Sequence, residues 1–273
     1  MINNKSALTQ YFIKNGRFPF PIIDMHAHRG QHLESFMIAD TLDQQVKYMD
    51  DLGFTNMVLV GHKGLLEGGT GAAEDLSEAK RFPQGKIRLY HPVVSHLLDD
   101  YSEIETVTKN PEYVGFKFLG DYHQSKISDP RHTPVWEFAD RHHLAVLAHT
   151  WGDSPYDGPD EVEKIVSRYK NLSLVCGHSI FGAWKEGVAL AKEHPNMYLE
   201  LTTVLWERGP VEFFVENGLS EQILFGVDSP WYSYTYNLGA LLTSGISDED
   251  VKNILHYNPL KVLSRVRKDL PGF

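Results

Sequence analysis

The sequence predicts a closed (β/α)8 barrel, and three observations carry that prediction. The 273-residue chain holds eight short apolar runs that alternate with stretches of helical periodicity. Strands alternating with helices build right-handed βαβ units around a parallel sheet, and eight units in roughly 250 residues is the size of one closed barrel. No Gly-rich GxGxxG turn follows any of the strands, which counts against an open doubly wound sheet.

Residues 1–20 read as an N-terminal arm or short helix, and residues 21–273 as one barrel domain. Pro19 and Pro21 stop any helix and lead into an extended first strand at 22–25. Residues 41–52 follow as a helix: Leu42, Val46 and Met49 recur at three-to-four spacing, Thr41 or Asp40 can cap it, and Gly53 ends it. The pattern then repeats. Strand 56–60 closes on Gly61-His62, strand 87–90 on His91-Pro92, and strand 113–118 carries Lys117 near its end. Strand 144–148 closes on His149, strand 172–176 on Gly177-His178, and strand 223–227 on Asp228, with strand 197–201 between the last two. The intervening helices read as 72–81, 101–109, 133–141, 159–169, 184–194 and 211–217. Helices at 238–242, 248–256 and 259–268 end the chain. No linker, repeat or low-complexity segment divides these units.

A net charge of −10 with interspersed signs argues against nucleic acid and against an anionic membrane surface. The single cysteine, Cys176, sits in an apolar run and reads as a small buried hydrophobe; no intrachain disulfide can form. Residues 1–17 carry no apolar run of signal-peptide length, and nothing approaches a membrane span. The expectation is a cytoplasmic protein acting on a small molecule.

Chemistry in such barrels sits at the C-terminal ends of the strands. Those ends here carry His26, His28, Lys117, His149, His178 and Asp228. On an extended strand Asp24, His26 and His28 share one face, and Ile23, Met25 and Ala27 the other. Two imidazoles one strand repeat apart can reach a single divalent ion. Singly, each residue has a plainer reading: His149 as a core histidine bonded to a carbonyl, Asp228 as the cap of the turn at Ser229-Pro230. Their joint placement at one mouth favours a site.

On these landmarks the chain resembles the amidohydrolase superfamily. More narrowly, it resembles the amidohydrolase-related branch that contains aminocarboxymuconate-semialdehyde decarboxylase. The resemblance rests on Asp24-Met25-His26-Ala27-His28, Gly115-Phe116-Lys117-Phe118, Asp129-Pro130-Arg131, Ala148-His149-Thr150, Gly177-His178-Ser179, Leu224 to Pro230, and Asn258-Pro259-Leu260. It implies a divalent metal, usually zinc, on His26, His28, His149 and Asp228, with a water activated by the ion. Asp228 would also take the proton from that water, and His178 would orient the substrate or polarise its carbonyl. Asp24 would support the ligands from behind. Lys117 is a fork: carboxylated, it would bridge two metals, with His149 and His178 on the second; unmodified, it would bind an anionic group. A homodimer is common in the family.

Two stretches depart from the branch's usual form. Leu119-Gly120-Asp121 stands where His-Pro often follows the strand-4 lysine, and Ser229-Pro230-Trp231 follows Asp228. Trp151, Phe181, Trp184, Trp206, Trp231 and Tyr232 surround the mouth and would wall a pocket for a ring, or else pack loops. His62 and His91 are candidate substrate contacts, and Arg29 a candidate carboxylate binder. The implied function is a metal-dependent hydrolase cleaving an ester, lactone or amide bond. The alternatives are a metal-dependent non-oxidative decarboxylase and a non-catalytic ligand-binding barrel.

Overall fold

The computed structural model describes residues 6–97 and 101–266. Eight parallel strands lie side by side in sequence order: β1 (Ile22–Arg29), β2 (Phe54–Gly61), β3 (Ile87–Val93), β4 (Tyr113–Phe118), β5 (Ala145–Trp151), β6 (Ser173–Phe181), β7 (Met197–Glu200) and β8 (Ile223–Leu224). The segment after β8 returns to β1. Met25 N donates to the Phe225 carbonyl at 3.0 Å and Asp228 N to the His26 carbonyl at 2.6 Å, and Ala27 bridges Ser229. These contacts make the sheet a nearly closed barrel.

The helices are α1 (Ala7–Asn15), α2 (Leu42–Asp51), α3 (His62–Glu67), α4 (Gly69–Ala79), α5 (Thr106–Lys109), α6 (Thr133–Arg141), α7 (Pro159–Arg168), α8 (Trp184–Glu193), α9 (Pro210–Glu216), α10 (Tyr234–Leu242), α11 (Asp248–Lys252) and α12 (Asn258–Val266). Their local causes are readable. In α2, Thr41 and Gln44 satisfy each other's backbone donors as a capping box, while Leu42, Val46 and Met49 are buried. In α7, Pro159 starts the helix and Asp160 and Glu161 fill its first turn, where negative charge meets the exposed backbone N–H groups. Helix α1 docks through Ser6 and Leu8 N on Asp248.

Two apolar clusters follow from strand alternation. One takes residues from all eight strands, among them Ile23, Met25, Val58, Tyr90, Val114, Leu147, Val175, Tyr198 and Leu224, and is the barrel interior. The other joins the outer strand faces to the helices. Helix α12 contributes Val262 and Leu263 to the interior cluster and touches β1, β5 and β8. Arg265 anchors it to Asn171 and Ser173 at the start of β6, so α12 plugs the N-terminal end of the barrel.

Five details differ from the sequence reading. Strand β1 runs on to Arg29, so both histidines lie within it. Its pairing with β2 slips between Asp24 and Ala27, which breaks the simple alternation. Ile23 and Met25 face the interior and Ala27 the outer cluster, while Asp24 is bonded to Tyr234 of α10. Strand β8 is two residues long; beyond it Val227 N is shared between the Asp24 carboxylate at 3.1 Å and the His26 carbonyl of β1 at 3.3 Å. The chain after β2 enters α3 at His62, and the expected helix at 248–256 is α11 followed by a π-helical turn, Asn253–Tyr257. The last two residues of the expected helix 259–268 lie outside the described residues.

Candidate metal centre

The C-terminal ends of β1, β4, β5, β6 and the β8 segment bring His26, His28, Lys117, His149, His178 and Asp228 to one buried place. The tightest group is His26, His28 and Asp228, whose ligand-type atoms all lie within 4.8 Å of one another. Asp228 Oδ1 is 3.1 Å from His28 Nε2 and 3.7 Å from His26 Nε2. That oxygen is buried and accepts no hydrogen bond. A buried carboxylate oxygen left bare between two imidazole nitrogens is costly unless a cation completes it. The nitrogen–nitrogen–oxygen donor set suits zinc, manganese and similar divalent ions. These residues therefore fit a metal.

The far side of each ring is anchored. His26 Nδ1 donates to Glu200 Oε2 at 3.0 Å, His28 Nδ1 to the Val60 carbonyl at 2.9 Å and His149 Nδ1 to Asp157 Oδ2 at 3.1 Å. Carboxylates and carbonyls only accept, so the proton sits on Nδ1 and Nε2 keeps its lone pair. His178 Nδ1 meets Thr203 Oγ1 at 3.0 Å. Burial holds the His26 and His178 rings far below the usual imidazole pKa, in the neutral, ligand-competent form.

Glu200 ties the site together. Besides His26 it accepts from the backbone N of His178 at 3.2 Å and of Thr202 at 2.7 Å. Burial pushes its carboxyl up, and the His178 and Thr202 contacts oppose that rise. Gly226 makes the room: a β-carbon there would overlap Glu200 Oε1. Asp24 supports the same wall, accepting from His26 N at 3.0 Å and the Tyr234 hydroxyl at 2.7 Å; burial raises it to about 8.

Three of these positions have strained backbones. His178, Thr203 and Asp228 have φ of 67°, 68° and 59°, values that side-chain-bearing residues rarely adopt. Ser179 and Ile180 continue the strain beyond His178. They are held by Ser179 Oγ donating to the Glu200 carbonyl and Ile180 N donating to Thr150 Oγ1.

Lys117 is fully buried, with Nζ 3.2 Å from His26 Nε2, and burial lowers its pKa to about 8. His149 lies outside the tight triad, its ring 4.9 Å from that of His178 and stacked at 5.8 Å on Trp151. His62 stacks on His28 at 5.0 Å; its Nδ1 faces the Gly30 carbonyl, and its Nε2 accepts from Trp231 Nε1 at 2.9 Å. With both nitrogens engaged it is neutral, and burial lowers its pKa to about 3.

A cavity of about 360 Å3 opens over this floor. Trp151, Trp231, Tyr122 and Tyr232 wall it together with Leu33, Leu65, Leu66 and Leu119; Glu34 also borders it. Two expected substrate contacts are turned elsewhere. Arg29 is held by Asp75 at 2.7 Å and Glu74 at 3.4 Å. His91 is buried against Tyr113 and Phe116 beside a separate, smaller cavity near Gly68 and Glu103. Of the other aromatics, Trp184 and Phe181 pack on each other and Trp206 on Tyr232. Sequence reasoning missed Glu200 and Asp157. Glu200 left one signal, an acidic residue inside an apolar run; Asp157 lies in a loop and left none.

An eight-stranded parallel barrel with imidazoles and a carboxylate converging on a bare position at its strand ends belongs to the metal-dependent barrel class. The chain is a member of the amidohydrolase family, whose model matches residues 23–265. The family is metal-dependent. No curated protein matches the sequence. Solved structures share the fold at low identity. A 2,6-dihydroxybenzoate decarboxylase from Rhizobium has a TM-score of 0.74 at 12% identity, over 90% of this chain and 99% of that one. A probable 2-pyrone-4,6-dicarboxylic acid hydrolase from Acinetobacter baumannii, with citric acid bound, has a TM-score of 0.66 at 15% identity, over 90% and 100%. A 5-carboxyvanillate decarboxylase from Novosphingobium aromaticivorans, complexed with manganese and a nitrobenzoic acid, has a TM-score of 0.68 at 10% identity, over 90% and 96%. Among the described residues no helix is long and apolar enough to cross a membrane.

Proposed function

We propose that this chain is a metal-dependent hydrolase cleaving an ester, lactone or amide bond of a small organic substrate. The observation that carries the reading is the buried, unpartnered Oδ1 of Asp228 beside the Nε2 atoms of His26 and His28. His26, His28, His149 and Asp228 would hold the ion. When bound, the ion supplies Lewis acidity to a substrate oxygen and to water. Asp228 accepts the proton from the attacking water at its carboxylate and passes it toward the leaving group. His178, locked by Thr203 and Glu200, donates through Nε2 or orients the scissile carbonyl. Lys117 meets an anionic group of the substrate, and Trp151 and Trp231 bound its ring.

Decarboxylation is the second reading, favoured by the two decarboxylases among the similar structures. In it Lys117 would bind the carboxylate at the floor beside the ion's residues, and Asp228 or His178 would deliver a proton to the carbon as carbon dioxide leaves. Turnover in 18O-labelled water separates the two. Label in the product supports hydrolysis; carbon dioxide released with no label in the organic product sinks it. Elemental analysis of protein purified without chelator is expected to give close to one metal per chain, because among the described residues His26, His28 and Asp228 form a single tight triad and Lys117 Nζ lies against His26. Close to two would make Lys117 a carboxylated bridge.

A further inference from the structure

The loops that follow β4 and β5 meet on one buried atom. Asp157 is fully buried, and its Oδ2 accepts from His149 Nδ1 at 3.1 Å and from the backbone N of Asp121 at 2.9 Å. Asp121 ends the Leu119-Gly120-Asp121 stretch that departs from the branch's usual form. Its own carboxylate accepts from Ser154 Oγ at 3.1 Å, and Ile127 N donates to the Tyr156 carbonyl at 2.9 Å. The two loops are thus tied at both ends, with Asp157 as the one tie that also touches the candidate metal centre.

The tied loop is a wall of the cavity. Leu119, Tyr122 and His123 line it, and Tyr122 meets the His149 ring edge-on at 5.6 Å. His149 is therefore fixed from three sides: Asp157 at Nδ1, Trp151 stacked on a face, and Tyr122 against the ring. The other oxygen of Asp157, Oδ1, is buried and accepts no hydrogen bond among the described residues. A buried carboxylate with a bare oxygen costs stability. Lys117, close enough to feel its charge, offsets part of that cost. An ion on the far nitrogen of His149 would add to the offset through the ring.

We propose that Asp157 is a positioning residue that couples metal binding to the order of the cavity wall. It presents His149 Nε2 to the ion and, with the same oxygen, pins the loop 119–128 that carries Tyr122. Such coupling is reciprocal, so the ion steadies the loop and the steadied loop tightens the ion. The inference rests on His149 being a metal ligand, as proposed above, but not on the reaction performed.

The test reads two quantities: zinc affinity, by titration against a competing chelator, and hydrogen exchange of the peptide 119–128, by mass spectrometry. Helix α9, which carries none of the site residues, is the internal control. In the parent, zinc is expected to slow exchange in 119–128 about fivefold or more and to leave α9 unchanged. Asp157→Ala removes the acceptor from both donors. Its zinc affinity should fall about 10- to 100-fold, and saturating zinc should no longer slow the loop. Asp157→Asn keeps one oxygen and loses the charge, so its loop should still respond while its affinity stays lowered. If Asp157→Ala fails to fold, that combination in Asp157→Asn still decides. Unchanged affinity in both variants, a parent loop indifferent to zinc, or a change shared equally by α9 would overturn the proposal. His149→Ala separates it from the reading it rests on. Unchanged zinc affinity there discards His149 as a ligand and this proposal with it; an affinity that needs His149 but ignores Asp157 discards this proposal alone.

Discussion

Two carboxylates face His26, and they should fail differently. Asp228→Asn keeps the shape and removes the base. Turnover is expected to fall about 10²- to 10⁴-fold while circular dichroism stays unchanged; undiminished turnover would rule out Asp228 as proton acceptor. Glu200 touches the far nitrogen of His26 and cannot reach a substrate through it. Glu200→Gln should lower metal affinity about 10- to 100-fold in an equilibrium titration, because the anionic partner that fixes the ring and its basicity is gone. Equal affinity in the two proteins would mean the carboxylate's charge has no part. The ligand-type residues were legible in the sequence because each follows an apolar run. Glu200 was not, because its partner lies 174 residues away and only folding brings them together.

At the level of elements, the site depends on strands that approach more closely than side chains allow. A β-carbon on Gly115 would overlap the Ala145 carbonyl across the β4–β5 pair. Lys117 and His149 lie further along those two strands, so Gly115→Ala should disturb both. The expected cost is about 1–3 kcal/mol, read as a lower urea midpoint with unchanged slope. An unshifted midpoint would show that the pair can spread freely. Helices at 133–141 and 159–168 follow the sequence reading almost residue for residue, since their apolar spacing and prolines are local signals. The slip in β1 does not, because its cause lies elsewhere: Tyr234 and Val227 both donate to Asp24 and draw it out of the simple alternation. The hydrogen bond from Trp231 to His62 joins the loop after β8 to the start of α3, 169 residues apart, and was equally invisible.

For the molecule as a whole, buried neutral histidines set the response to acid. Burial lowers His91 to about 4, against 6.5 for the free group. An unfolded chain therefore takes up a proton at this residue near pH 6.5, and the folded chain resists until about pH 4. Stability is lost as pH falls through that window, by about 3 kcal/mol for this group. His91→Gln should flatten the fall of Tm between pH 6.5 and 4 relative to the parent, without touching the metal residues; parallel curves would contradict the assignment. The order of the eight strands, by contrast, was plain from the start, because alternation of apolar runs and helices is a property of the whole chain and survives local error.

Helix α12 seats Val262 and Leu263 in the barrel interior and shuts its N-terminal end. Among the described residues the cavity over the strand ends therefore has no way out through the barrel's floor, and whatever enters past the exposed side chains of Leu33, Trp231 and Tyr122 must leave on that same side.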